Sequence, residues 1–235
     1  GFLPTGEPYL TMPLLSASLD DEIARHQRLP WRQAVQAIAT VCETVAYAHA
    51  QGVVHRDLKP GNIMRAQSGR PLVADFGISR IVDGETSLKS TALTLTPAYS
   101  PPEALDGADA QPTADIYALG ATLFALLEGH PPFMDGNRDI SLLQLVRRIM
   151  DEPEGPFSDD VPEHVRDTVR TAMAKTPGER FGTASAFTQA LESTLTVHDS
   201  GPLTRSTEAA DGRADLPPPP PMPPVATPTA PPPVP

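Results

Sequence analysis

The chain has 235 residues, with 18 Lys and Arg against 29 Asp and Glu, for a net charge of −11 with histidine neutral. That balance argues against a nucleic-acid binder held by a basic surface, and a single cysteine, Cys42, excludes an internal disulfide framework. Apolar residues make up 40%, enough for a sizeable core; no apolar run reaches the roughly 18 residues of a membrane span, and no basic-then-apolar opening marks a signal peptide.

In chain order, residues 9–12 read as a short β-segment, and residues 20–26 as a short polar helix with Ser18 as its cap. Pro30 suits the first position of a long helix. Its apolar residues Trp31, Val35, Ile38, Cys42 and Val45 are spaced by four, three, four and three, which is one helix face. Gly52 is placed to close it. Cys42 on that face reads as core packing, not as a nucleophile. Short β-segments are expected at 53–54, 63–64 and 72–74, and helices at about 112–128, 139–150, 162–174 and 183–196. There is no internal repeat.

From Asp199 the apolar periodicity stops, and residues 217–235 hold 12 prolines in 19 positions. Proline fixes φ and removes backbone donors, so 199–235 reads as a disordered or semi-rigid linker rather than a packed segment. A ligand for proline-recognition domains is the sharper alternative.

The chemistry is concentrated after the long helix. There the chain reads His55-Arg56-Asp57-Leu58-Lys59-Pro60-Gly61-Asn62, and thirteen residues past Asn62 stands Asp75-Phe76-Gly77. A magnesium nucleotide needs oxygen ligands, which Asp75 and the Asn62 amide supply. A hydroxyl nucleophile needs a carboxylate to orient it and take its proton, and Asp57 is the candidate. Lys59 is the cation within reach of a transferring phosphoryl group.

This ordered set strongly resembles the eukaryotic-type serine/threonine protein kinases, most closely their bacterial branch. The resemblance implies an α+β, protein-kinase-like fold, mainly its α-helical C-terminal lobe with short β-hairpins. It implies a kinase domain over 1–198, containing the end of the N-lobe, the hinge and the C-lobe, followed by the proline-rich linker. Asp57 and Lys59 would be catalytic, and Asn62 and Asp75 would hold the metal. Lys59, two residues after Asp57, is the serine/threonine pattern rather than the tyrosine one. Met12, Pro13 and Leu15 resemble the gatekeeper and hinge that bind adenine, with Met64 packed under the base. His55, Phe76 and Gly77 would be structural. So would Glu103 paired with Arg180, and Asp115, which resembles the buried aspartate holding the catalytic loop. Arg56 would receive a phosphate from the activation loop, with Ser90, Thr91 and then Thr94 as acceptors. Thr96 would shape the substrate site.

The implied activity is transfer of the ATP γ-phosphate to Ser/Thr hydroxyls of protein substrates, with Mg²⁺ as cofactor, in signalling. Self-association would allow trans-autophosphorylation. The expected location is the cytoplasm; the resemblance extends to bacterial members anchored to a membrane beyond such a linker. Several parts of the family pattern have no counterpart here: the glycine-rich loop, the lysine strand and the helix bearing its glutamate partner. The chain's three lysines, Lys59, Lys89 and Lys175, all fall at or after the catalytic loop. An N-terminally truncated fragment, inactive alone, is therefore expected. The competing readings are a pseudokinase-like interaction module and a small-molecule phosphotransferase of similar fold; Lys59 and Pro102-Glu103 argue against the latter. Two smaller departures are Leu95 before Thr96, where glycine is usual, and Arg65 in place of an apolar residue.

Overall fold

Ser18 starts the first helix by a reciprocal cap. In the computed structural model, which describes residues 1–7, 9, 15–76, 97–109, 111–134 and 140–197, α1 spans Leu19–His26. The Ser18 hydroxyl accepts from the Asp21 amide at 3.1 Å, and the Asp21 carboxylate accepts from the Ser18 amide at 2.9 Å. Those bonds hold the Asp21 carboxyl below its usual range. The linker reading of 199–235 lies outside the described residues.

Helix α2 spans Trp31–Ala50, with Pro30 as its N-cap rather than its first helical residue. The ring fixes φ at −54°, but ψ is 135°, so Pro30 is extended and the helix turns after it. Val35, Ile38, Cys42 and Val45 are fully buried as the spacing predicts, while Trp31 is only half-buried under the Arg32 guanidinium. Enclosure pushes the Cys42 thiol up, so it serves as packing. No strand forms at 53–54. The Val53 amide instead donates to Ala48 at 3.0 Å and completes the helix's closing turn. Tyr9 exchanges both backbone bonds with Gly1, at 2.9 Å each, in the manner of an antiparallel pair; residues 10–12 of that expected segment lie outside the described residues.

Two strands do form. β1 (Ile63–Arg65) and β2 (Pro71–Val73) pair antiparallel, with Ile63 opposite Val73 and Arg65 opposite Pro71. Residues 16–18 add along the other edge of β1, through Ser16 N to Arg65 O at 3.0 Å and Arg65 N to Ala17 O at 2.7 Å. The charged Arg65 is accommodated because Glu22 of α1 takes it in a two-pronged pair, at 2.7 and 2.9 Å.

Helix α3 (Pro102–Leu105) is short and leads to α4 (Pro112–Glu128), whose bounds match the sequence expectation. Every residue from Ala114 to Leu127 is buried. A helix apolar all round belongs in the middle of a domain, and α2, α6 and α7 pack about it. At Gly120 an added Cβ would stand 2.8 Å from the Ala172 Cβ, so this close approach of α4 to α6 needs glycine. Helix α5 (Leu142–Asp151) starts later than the 139 expected, because Ser141 and Gln144 form a second capping box there. Helix α6 (Glu163–Ala172) is a turn shorter than 162–174 because Pro162 caps its start and Met173 its end. Helix α7 (Ala184–Thr196), capped by Thr183, lies along α2.

Two polar anchors tie these helices together. The Arg180 side chain is fully buried, and all five of its N–H donors are used. Two reach Glu103 of α3, at 2.6 and 2.7 Å, and the others reach the carbonyls of Ala174, Thr113 and Lys175. The second anchor is Lys175, whose ammonium donates to the Ile149 carbonyl of α5 at 2.6 Å and lies 4.3 Å from the Phe133 ring centre. Burial pulls its pKa from 10.5 down to about 8.

Two outcomes follow. Arg180→Met leaves Glu103 without its partner and strands three carbonyls, so denaturant unfolding should show a loss of about 3–5 kcal/mol; a loss under about 1 kcal/mol would contradict the anchor. For Lys175, the unfolded chain keeps its proton up to about 10.5, and the native chain releases it near 8. The unfolded state therefore binds more protons across that window, and native stability rises with pH through it. Scanning calorimetry from about pH 7.5 to about pH 10 should show the Tm of the wild-type chain gaining on that of Lys175→Met. A constant difference would refute the assignment.

Candidate active site

The site begins with a polar residue on an apolar stripe. The buried face of α2 runs through Val35, Ile38, Cys42 and Val45, and the next step of four reaches His49. A polar group at a core position needs a partner. The His49 Nε2 donates to Asp115 Oδ2 at 2.8 Å. Asp115 stands in the first turn of α4 with no exposed side-chain surface. Its carboxylate also accepts two backbone amides, His55 N on Oδ2 and Arg56 N on Oδ1, each at 2.8 Å. Asp115 thus bonds two consecutive amides of this loop; the histidine beside it was not anticipated. The signal for it was present, since His49 continues the four-three rhythm of the core face.

Held in this way, the loop after α2 adopts a left-handed turn at Arg56, with φ of 74°. Side chains rarely take that conformation, which costs about 1–2 kcal/mol, and the two amides fixed by Asp115 keep it in place. The loop's next contacts come from the His55 ring. Its Nε2 donates to the Ala74 carbonyl at 2.9 Å, and its Nδ1 accepts from the Asp57 amide at 3.3 Å. One tautomer, protonated on Nε2, satisfies both. The Phe76 ring packs on the imidazole with centroids 4.7 Å apart.

Asp57, Lys59 and Asn62 come together. The Lys59 ammonium lies 3.1 Å from Asp57 Oδ1 and 2.9 Å from Oδ2. The Asn62 amide nitrogen donates to Asp57 Oδ2 at 2.8 Å and to the Asp57 carbonyl at 2.7 Å. The Asn62 side-chain oxygen is thereby turned away from Asp57. The Asp57 side chain keeps 27% exposure, so it is oriented yet open to an incoming group. Asn62 closes the turn Pro60–Asn62 that enters β1, and its carbonyl accepts the Ala74 amide at 2.9 Å. That bond joins the loop to the segment leading to Asp75. Asp75 is exposed and has a φ of 60°, a second non-glycine residue in the left-handed region.

The remaining expected residues divide. Met64 lies in β1 opposite Leu72 and bridges Ser18, and Leu15 is half-buried just before the edge segment 16–18. Met12, Pro13, Gly77, Ser90, Thr91, Thr94 and Thr96 lie outside the described residues. The donor set of one amide oxygen and one carboxylate fits Mg²⁺, which takes one or two protein oxygens and completes its shell with phosphates and water. Arg56 has a buried Nε with no hydrogen-bond partner among the described residues.

The sequence matches known proteins. The protein kinase domain family matches residues 3–194. The serine/threonine-protein kinase PknK of Mycobacterium bovis is 35% identical over 187 residues, which is 79% of this chain and 17% of that protein. PknJ of Mycobacterium tuberculosis is 37% identical over 198 residues, 81% of this chain and 33% of that protein. PknA of Mycobacterium tuberculosis is 32% identical over 185 residues, 78% of this chain and 42% of that protein. The chain thus spans well under half the length of each of these relatives. With the fold, the catalytic-loop geometry and these matches in agreement, the chain belongs to the protein kinase family, in its eukaryotic-type serine/threonine branch of bacteria.

Proposed function

We propose that the protein of which this chain is part is a serine/threonine protein kinase that transfers the ATP γ-phosphate to Ser/Thr hydroxyls of protein substrates. The observation that carries this reading is the convergence of Lys59 and Asn62 on one part-exposed carboxylate, Asp57. A structural aspartate would be closed by its partners. This one is oriented by them and remains open.

The Asp57 carboxylate orients the acceptor hydroxyl and takes its proton. Lys59 neutralises the carboxylate in the resting site and offers its ammonium to the transferring phosphoryl group. The Asn62 oxygen and the Asp75 carboxylate would hold Mg²⁺, which would supply charge neutralisation to the phosphates when bound. Leu15, Met12 and Pro13 bind adenine at the hinge, and Met64 supports the base from below. Catalysis of this kind is mainly positioning and electrostatics, so each residue acts through geometry. Arg56, whose Nε has no hydrogen-bond partner among the described residues, receives a phosphate placed on Ser90 or Thr91, with Thr94 next. Thr96 shapes the acceptor site, and trans-autophosphorylation requires self-association.

Three measurements test this. In the full-length kinase, Asp57→Asn should keep nucleotide affinity and lower kcat by about 10²–10⁴-fold, whereas Asp75→Ala should also weaken Mg-dependent nucleotide binding in calorimetric titration. Near-normal turnover of Asp57→Asn would overturn the role assigned to Asp57. For positioning, His49→Leu should lower kcat with little change in the KM for ATP, because it acts through Asp115 on the loop; His49→Gln should recover part of the loss. Equal loss in both variants would point to a general packing defect. Phosphopeptide mass spectrometry after incubation with ATP should find phosphate on Ser90 or Thr91, and the double alanine variant should lose activation. Full activity in that variant would remove those sites.

A further inference from the structure

The first turn of α1 carries three acids in succession, Asp20, Asp21 and Glu22. Two of them are spent on the fold. Asp21 closes the reciprocal cap with Ser18, and Glu22 takes the Arg65 guanidinium. Asp20 is exposed, and its carboxylate has no hydrogen-bond or ion-pair partner among the described residues. Its place is fixed all the same. Leu19 before it is fully buried, Ser18 bridges Met64, and the cap holds the turn. The helix dipole favours an acid in a first turn, but it does not decide which surface that charge faces.

Two turns define that surface. α1 packs against the turn Pro60–Asn62, which follows Lys59 and ends in the residue bonded to the Asp57 carboxylate. The second is the turn Pro97–Tyr99, three residues beyond Thr96 at its end. Tyr99 is buried, and its hydroxyl is pushed up first by that burial and then by the charge of Asp20. Asp20 therefore stands where the turn that continues from Asp57 meets the segment that continues from Thr96. Those are the two segments to which the proposed function gives the acceptor. The charge of the body points the same way. Residues 199–235 hold four acidic and two basic side chains, which leaves −9 of the chain's −11 on residues 1–198. A field of that sign draws basic segments to the surface, and an unpaired carboxylate on a fixed helix end gives one of them a defined place.

We propose that Asp20 is a specificity residue for the acceptor, pairing with an arginine or lysine side chain that flanks the Ser/Thr hydroxyl presented to Asp57. This rests on the kinase reading given above and adds the chemical class of its acceptor. A guanidinium takes a carboxylate by two parallel bonds and an ammonium by one, so arginine is preferred to lysine. An acidic side chain at the same position is repelled. Asp20 touches the substrate away from the reacting atoms, so its effect is on which acceptor is bound and not on the transfer step.

The test is steady-state kinetics of the full-length kinase on peptides with a single Thr in an Ala-Gly background, carrying Arg, Ala or Glu in turn at each neighbouring position on both sides. One position should stand out, where Arg lowers the KM by about threefold or more relative to Ala and Glu raises it. The difference should shrink from about 50 to about 300 mM salt. Asp20→Asn should bring the kcat/KM values of the Arg and Ala peptides to equality, and Asp20→Arg should invert the order in favour of Glu. A residue that served the helix end alone would lower the Tm and leave the ratio of Arg to Ala peptide where it was. The proposal is overturned by an Arg preference that survives in Asp20→Arg, by a wild-type kinase without charge preference at any position, or by transfer to the kinase itself and to none of the peptides. Absence of transfer to any peptide and to the kinase itself would instead remove the kinase reading beneath it.

Discussion

One buried carboxylate organises the chain. Asp115 has no exposed side-chain surface, yet it stands in the helix at the centre of the core. A lone charge there would be prohibitive, so the fold must bring it donors. It brings three: the His49 ring from α2, and the His55 and Arg56 amides from the loop that follows. Placing a carboxylate in the core therefore fixes where α2 ends, how the loop turns and which way its side chains face. The placement of Asp57 follows from a solvation requirement two residues earlier.

The same logic explains the strained backbone. Arg56 and Asp75 both take left-handed φ values with ordinary side chains. Such conformations persist only where surrounding bonds over-determine them. Arg56 is held by Asp115. The segment before Asp75 is held by Ala74, whose carbonyl takes the His55 ring and whose amide reaches Asn62. The loop bearing Asp57 and the segment leading to Asp75 are thus one hydrogen-bonded unit. Buried side chains and backbone groups hold it together, and the side chains of Asp57 and Lys59 remain partly exposed.

Charge is distributed by task. The buried pair of Glu103 and Arg180 has every guanidinium donor assigned, and its role is to join α3 to the α6–α7 connection. The Lys59–Asp57 pair is open on one side. Arg28 with Asp160, and Arg70 with Glu43, are paired loosely and at the surface. Burial and the number of donors in use separate these three kinds of ion pair, although their shortest distances are alike.

Much of this was legible in the sequence. The four-three spacing determined the buried face of α2, the helical pattern over about 112–128 determined the central helix, and Ser18 determined where α1 begins, because periodicity and capping are local properties of the chain. The motif around Asp57 marked the candidate site, since residue types and their order define what a site can donate and accept. Other features were decided only by tertiary structure. Val53 and Val54 have strand-forming side chains but no strand, because the Val53 amide was already taken by the helix end. Arg65 is out of place in an apolar strand until Glu22, far away in sequence, arrives to pair with it. His49 is only a break in an apolar stripe until Asp115 approaches from another helix. Local rules assign elements, but a buried polar group is meaningful only through its partner, and partners distant in sequence are brought together by the packing of the core.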